Sequence, residues 1–185
     1  MHIPLGATKV PVNWTEDSSE LYIEGYYVGG SQLRLDTERG KLSRAAIIFP
    51  IAYLYRQYFE LRLKRLVSLS CDFLDEPLPL NLTNYHDLRI IWEVLKPLIP
   101  KFDMDFGEEE IILVEEAVGY IQDLDKSSTA FRYARDKKDA PSLEPLKVFD
   151  LAHLGIMMYD IHWALESLAF TLYRKLEEKR KSGSI

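Results

Sequence analysis

Arg56, Glu60 and Lys64 recur every four residues inside the stretch "LYRQYFELRLKRL" at 54–66. On a helix that spacing puts a carboxylate between two cations along one flank, together with Gln57 and Ser68. Glu60 precedes Lys64 by four, the favourable order for a helical ion pair, and Arg56 reaches Glu60 from the other side. Two chemistries fit. In the first, the ladder is a solvent-facing edge whose pairs contribute about 0.2–0.5 kcal/mol each. In the second, it is a polar groove in which Glu60 orients Arg56 and Lys64 toward an anion such as a phosphate. Arg56 is then the better phosphate ligand, because its planar fork can hold two oxygens at once.

Other residues able to do chemistry are scattered. His86 and Asp87 open a helix; they are either a capping pair, with Asp87 at the positive dipole end, or part of a site. His86, Glu60 and Arg56 are the candidates for a catalytic role. Arg132, Arg135, Lys137 and Lys138 stand beside Phe131 and Tyr133. Aromatic rings among cations can stack bases and hold phosphates, and a solvated loop is the alternative. His162 and Glu166 are four apart on one helix. They read as a semi-buried hydrogen-bonded pair, or as a base oriented by a carboxylate. His153 and His162 point to opposite sides of that helix and cannot share a metal. The sequence has no His-x-x-x-His pair, no phosphate loop and no Gly-x-Ser-x-Gly elbow, so neither metal nor cofactor is expected.

These residues need helices to position them. "SSELYIEGYYVGGSQLRLDTERG" offers Ser19 as an N-cap and Gly40 as a stop, with Tyr22, Tyr26, Gly29 and Leu33 at helical spacing. The Gly29–Gly30 pair keeps a strand alternative open. A second helix spans about 43–70, starting or bending at Pro50. It is apolar almost all round, so it should be central with one polar strip. "HDLRIIWEVLKPLIP" is a short third helix capped from Thr83 or Asn84 and closed by Pro97 and Pro100. "GEEEIILVEEAVGYIQDL" is a fourth, its glutamates at the positive dipole end. Residues 136–145 form a loop. The last helix runs from an Asp150 cap to about Lys181. Leu151, Leu154, Met158, Ile161, Leu165, Leu168 and Leu172 make a seam along it, and Tyr159, Trp163 and Phe170 make a second stripe. Two stripes imply two packing partners, the second of them inside the chain or on another subunit.

The expected architecture is all-α: an extended arm over 1–17 and a single-domain bundle of about five main helices over 18–182. Its 185 residues, 47% hydrophobic and 28% charged, suit one globular core. The net charge of −6 argues against broad, non-specific nucleic-acid binding and leaves room only for a local basic patch. A single cysteine, Cys71, excludes an internal disulfide and fits a reducing compartment. "MHIPLGATKVPV" has no signal-peptide pattern, and no apolar run is long enough to span a membrane. A cytoplasmic location is the expectation.

The order of motifs along the chain resembles the HEPN superfamily, the higher-eukaryote and prokaryote nucleotide-binding helical domains. Glu60, Lys64 and Arg65 match its Glu-x-x-x-Lys-Arg helix. His86, Asp87 and Leu88 match the opening of the next helix, and Arg132 and Tyr133 match an Arg-Tyr step in the late loop. The resemblance covers about residues 20–180. It implies a helical bundle, commonly a homodimer, that binds nucleotides or RNA. Many members are metal-independent ribonucleases, often toxins paired with small nucleotidyltransferases or parts of antiviral systems. This resemblance and the ladder reading of Arg56 together make the expected binding residues Arg56, Glu60, Lys64, His86, Asp87, Arg132 and Tyr133. The ribonuclease members carry a closely spaced Arg and His. Here His2, His86, His153 and His162 are the only histidines and none follows closely after an Arg; Gln57 stands after Arg56. The expectation is therefore a noncatalytic or weakly catalytic nucleotide- or RNA-binding member of a toxin–antitoxin or defence system. A ribonuclease with a divergent site and a structural protein-interaction module are the alternatives.

Overall fold

The computed structural model describes residues 18–103, 106–126, 128–143 and 148–183. The extended arm expected over 1–17 lies outside them. The chain is all-α, a single-domain bundle with five helices among the described residues: α1 (Ser19–Glu38), α2 (Arg44–Leu74), α3 (Leu88–Leu95), α4 (Glu108–Leu124) and α5 (Leu151–Ser182). No strand occurs among the described residues, so the strand alternative for the Gly29–Gly30 segment is not taken.

The central element is α2, which packs against α1, α3 and α5. Ile51, Tyr55, Tyr58, Phe59, Leu63, Leu66 and Val67 recur at helical spacing and are fully or almost fully buried. The helix passes through Pro50 without a break and runs four residues past the expected end at Ser70. Pro50 has no N–H to offer the Ala46 carbonyl, so the helix passes it at the loss of one intrahelical bond. Asp75 then takes a left-handed conformation (φ 54°), and the Glu76 N–H closes onto the Cys71 carbonyl at 3.0 Å.

The first helix starts at Ser19 but is capped from Ser18, one residue before the expected cap. It ends before Gly40, whose φ of 74° needs no Cβ to be accommodated. The cap of α3 is the one that the capping reading of His86 and Asp87 expects, and not Thr83 or Asn84. It is Asp87, whose carboxylate accepts the Arg89 N–H at 2.8 Å. Thr83 and Asn84 belong instead to a preceding 3-10 turn, Leu82–Asn84. A second 3-10 segment, Lys96–Lys101, carries Pro97 and Pro100 and carries the chain out of α3. At the start of α4, the Glu110 side chain accepts the Gly107 N–H at 2.8 Å, and Glu108 and Glu109 also sit at the positive dipole end.

Asp150 caps α5 through the His153 N–H at 2.9 Å. The expected seam is buried from Leu154 through Met158, Ile161, Leu165 and Leu168 to Leu172, with Leu151 half-buried at its start. α1 lies antiparallel beside it: Arg34 packs on Gly155, Tyr27 on His162, and Glu20 bonds Tyr173. The second stripe finds no partner among the described residues. Tyr159, Trp163 and Phe170 are 55%, 58% and 71% exposed.

Candidate functional site

The charge ladder of α2 is not a solvent-facing edge. Arg56 and Glu60 are 0% and 3% exposed, because the segment joining α2 to α3 folds over them. Glu60 gathers three donors. Its Oε2 accepts Arg56 Nη1 at 2.9 Å, and its Oε1 accepts Lys64 Nζ at 2.8 Å and lies 2.9 Å from His86 Nδ1. Arg56 Nη2 also donates to the His86 carbonyl, and Lys64 Nζ to the Thr83 carbonyl at 3.1 Å. One carboxylate thus fastens α2 to the loop that opens α3. Burial alone would raise the Glu60 pKa. The hydrogen bonds from Lys64 and His86 and the charges of Arg56 and Lys64 outweigh it, so the carboxyl is held below its ordinary value and is ionised near neutrality.

The two ends of the cluster differ in access. Arg56 is sealed, and its Nε has no hydrogen-bond partner among the described residues. Lys64 keeps 14% of its side chain in solvent and His86 keeps 61%. With Glu60 ionised, the His86 Nδ1–H donates to it, which fixes the ring orientation and turns Nε2 outward. Nε2 has no partner among the described residues. Two cations against one carboxylate leave a net positive charge here.

Asp87 faces its own backbone as the α3 cap, its carboxylate spent on the Arg89 N–H. Arg132 and Tyr133 are not in it either. The Arg132 Nε and Nη2 both donate to the Ser128 carbonyl, at 3.1 and 2.8 Å. Its guanidinium lies over the rings of Tyr53 and Tyr133, at 6.0 and 5.6 Å. The expected gathering of all these groups in one groove therefore divides in two: Glu60 with Arg56, Lys64 and His86, and Arg132 with Tyr53 and Tyr133 near the start of α2.

A third polar network joins α1, α2 and α5. The Tyr58 hydroxyl lies 3.0 Å from His162 Nδ1, and Tyr27 stacks on the imidazole at 3.6 Å. Arg62 bridges Glu20 at 2.9 Å and Glu166 at 2.7 Å. His162 and Glu166 sit 3.8 Å apart, so Tyr58 and Arg62, not each other, are their close partners. Burial, and then the Arg62 charge, push the His162 pKa down to about 4, so this ring is neutral at pH 7. Sequence reasoning missed two residues that shape these sites. Gln122 of α4 accepts the Leu88 N–H at 2.9 Å and so seats α3, and Arg62 is almost wholly buried. Each is a polar residue on an otherwise apolar helical face, which was the available signal.

Among the described residues, no helix is long and apolar enough to cross a membrane, and no group of three or more His, Cys, Asp or Glu side chains could hold a metal ion. No family model, curated protein or solved structure matches the chain.

Proposed function

We propose that this protein binds a nucleotide or RNA phosphate at the exposed edge of the Glu60 cluster, as a noncatalytic or weakly catalytic HEPN-like component of a toxin–antitoxin or defence system. The observation that carries the binding reading is one buried carboxylate holding Arg56, Lys64 and His86 together with excess positive charge. Lys64 and the outer face of His86 are the groups that meet the phosphate. Arg56 supplies charge from below and does not touch it. A local positive spot of this kind attracts an anion although the whole chain carries −6. The setting, and a nucleotidyltransferase-type protein partner, come from the motif resemblance alone.

One observation favours a second reading, a metal-independent ribonuclease with a divergent site. The Glu60–His86 pair leaves Nε2 free to accept the proton of an attacking 2′-hydroxyl and return it to the leaving 5′-oxygen. The exposed Tyr159–Trp163–Phe170 stripe suits a homodimer contact or, on a third reading, a protein-interaction module.

The readings separate in one series. Nucleotide and short single-stranded RNA binding is measured for the wild type, Lys64→Ala and His86→Ala across a salt range, with EDTA-treated cleavage assays alongside. The binding reading expects salt-sensitive binding weakened by both substitutions, without robust cleavage. Strong EDTA-resistant cleavage lost in His86→Ala selects the ribonuclease. No binding by the wild type rejects the phosphate site.

A further inference from the structure

The described residues 128–143, between α4 and α5, are held by several side-chain and backbone bonds. Asp125 Oδ1 accepts the N–H groups of Thr129 and Ala130, both at 2.9 Å. Asp136 Oδ1 accepts those of Lys138 and Ala140, at 2.8 and 2.9 Å. Backbone bonds from Asp136 to Ala140 and from Ser142 to Ala134 close a small hairpin. Between this hairpin and the start of α2 lies a cavity of about 350 Å³ lined by Phe49, Phe131, Arg132, Tyr133, Pro141 and Leu143. That volume is within the range of small-ligand sites, which pair apolar walls with a few fixed polar groups.

The lining is aromatic with one cation. Phe49 and Tyr133 are exposed at the mouth, and Phe131 is buried behind them. The Arg132 guanidinium is aimed by its two bonds to the Ser128 carbonyl, and its Nη1 has no partner among the described residues. Flat rings beside a fixed guanidinium suit a flat heteroaromatic ring carrying an anionic group. The position of the cavity narrows this further. Phe49, Tyr53, Gln57, Glu60 and Lys64 follow one another at steps of three and four along one face of α2. Tyr53 and Lys64 are thus separated by about 16 Å along the helix axis. The cavity and the Lys64–His86 edge lie on one side of α2, with Tyr53 and Gln57 half-buried between them and Glu60 covered by the loop that carries His86.

We propose that this cavity receives one unstacked base of a single-stranded nucleic acid whose backbone continues past Tyr53 and over the loop that covers Glu60 to Lys64 and His86. The inference rests on the phosphate-binding reading above and names its substrate class: a single strand longer than one nucleotide. A base paired and stacked in a duplex cannot enter a cavity between a helix and a hairpin. Lys137 and Lys138, exposed on the same hairpin, add positive charge on the approach. Arg135 adds less, because it is held by Asp139.

The test uses the full chain, a fluorescein-labelled short single-stranded RNA, the same strand made abasic throughout, and the matching duplex. The variants are Tyr133→Ala, which removes an exposed ring, and Ser142→Trp, which fills the cavity from its rim. Circular dichroism melts establish that both are folded. The expected result is a loss of single-strand affinity of about tenfold in each variant, the scale of one base–aromatic stack. The abasic strand should bind all three proteins alike and more weakly than the intact strand binds the wild type. Intact-strand binding unchanged in both variants but weakened in Lys64→Ala overturns the base site and leaves the phosphate site standing. If the wild type binds no RNA, the phosphate reading fails and titration with adenosine decides the cavity. Binding by the wild type that is lost in Ser142→Trp upholds a base site, and no binding overturns it.

Discussion

The most decisive perturbation is Glu60→Gln. Among the described residues the Glu60 carboxylate is the only anionic partner that Arg56 has, and the two side chains are 4% and 0% exposed. Glutamine keeps the volume and one acceptor oxygen but no charge, and its NH2 group must face one of three donors. Arg56 is then a buried cation without a counter-charge. Removing one partner of a buried pair costs about 3–5 kcal/mol. For a chain of this size each kcal/mol moves the melting temperature by about 2–4 °C, so a fall of about 6–20 °C is expected. Had the ladder been a surface edge, its two ion pairs would total about 0.4–1 kcal/mol and be sensitive to salt. Urea denaturation and thermal melts at low and high salt read the difference directly. A second arm replaces both members, Arg56→Leu with Glu60→Leu, and should lose less than the two single changes added together. Glu60→Gln within about 1 kcal/mol of wild type, or strict additivity in the double variant, would refute the buried-clamp argument. The sign with pH follows from the depressed Glu60 pKa. Its contribution is complete at neutral pH and above the ordinary carboxyl value of 4.5, and is lost as pH falls further through the folded-state value.

Three further outcomes are expected. His162 has its pKa lowered to about 4 from 6.5, so the unfolded chain binds its proton first and stability falls as pH drops from 6.5 toward 4; urea midpoints across that interval should flatten in His162→Phe. Gly25 has open space where a Cβ would go, so Gly25→Ala should stabilise α1 by about 0.5–1 kcal/mol. A Cβ at Gly30 would lie 3.0 Å from Tyr55 Cδ1, so Gly30→Ala should show none of that gain in the same melts. The proposed homodimer predicts a dimer mass by light scattering at tens of micromolar, reduced to the monomer by Trp163→Asp combined with Phe170→Asp; a monomeric wild type would remove the stripe as a self-contact.

Much of the fold was legible because it rests on periodicity. The α5 seam from Leu151 to Leu172 and the near-continuous apolar surface of α2 each state which way a helix must face, and both packed accordingly. Helix ends were less legible where a local cap competed with a distant one. Asp87, not Thr83 or Asn84, caps α3, because the 3-10 turn at Leu82–Asn84 uses those residues first and Gln122 arrives from another helix to take the Leu88 N–H. The Glu60 cluster was half legible. Spacing along α2 gave the Arg56–Glu60–Lys64 order, but not its burial, since what covers it is a loop that no periodicity describes. Arg132 illustrates the reverse error. Its residue type suggested the same groove, whereas the Ser128 carbonyl and the Tyr53 ring hold it near the start of α2.

That burial changes which substitutions can speak about function. Arg56 donates to both Glu60 and the His86 carbonyl, so losing it leaves Glu60 Oε2 without its donor and also releases the loop that carries His86. Binding lost in Arg56→Ala is thus uninformative, because the fold at the site is lost with it. Lys64 and His86 differ in kind. Each reaches solvent, each gives Glu60 one hydrogen bond, and removing either leaves the Arg56–Glu60 pair neutralised. Their loss should cost little stability, so any fall in affinity reports the ligand itself. The sealed pair sets the position of the site and the exposed pair provides its contact. A phosphate site that behaved otherwise, sensitive at Arg56 but indifferent at Lys64 and His86, would have to lie elsewhere on the molecule.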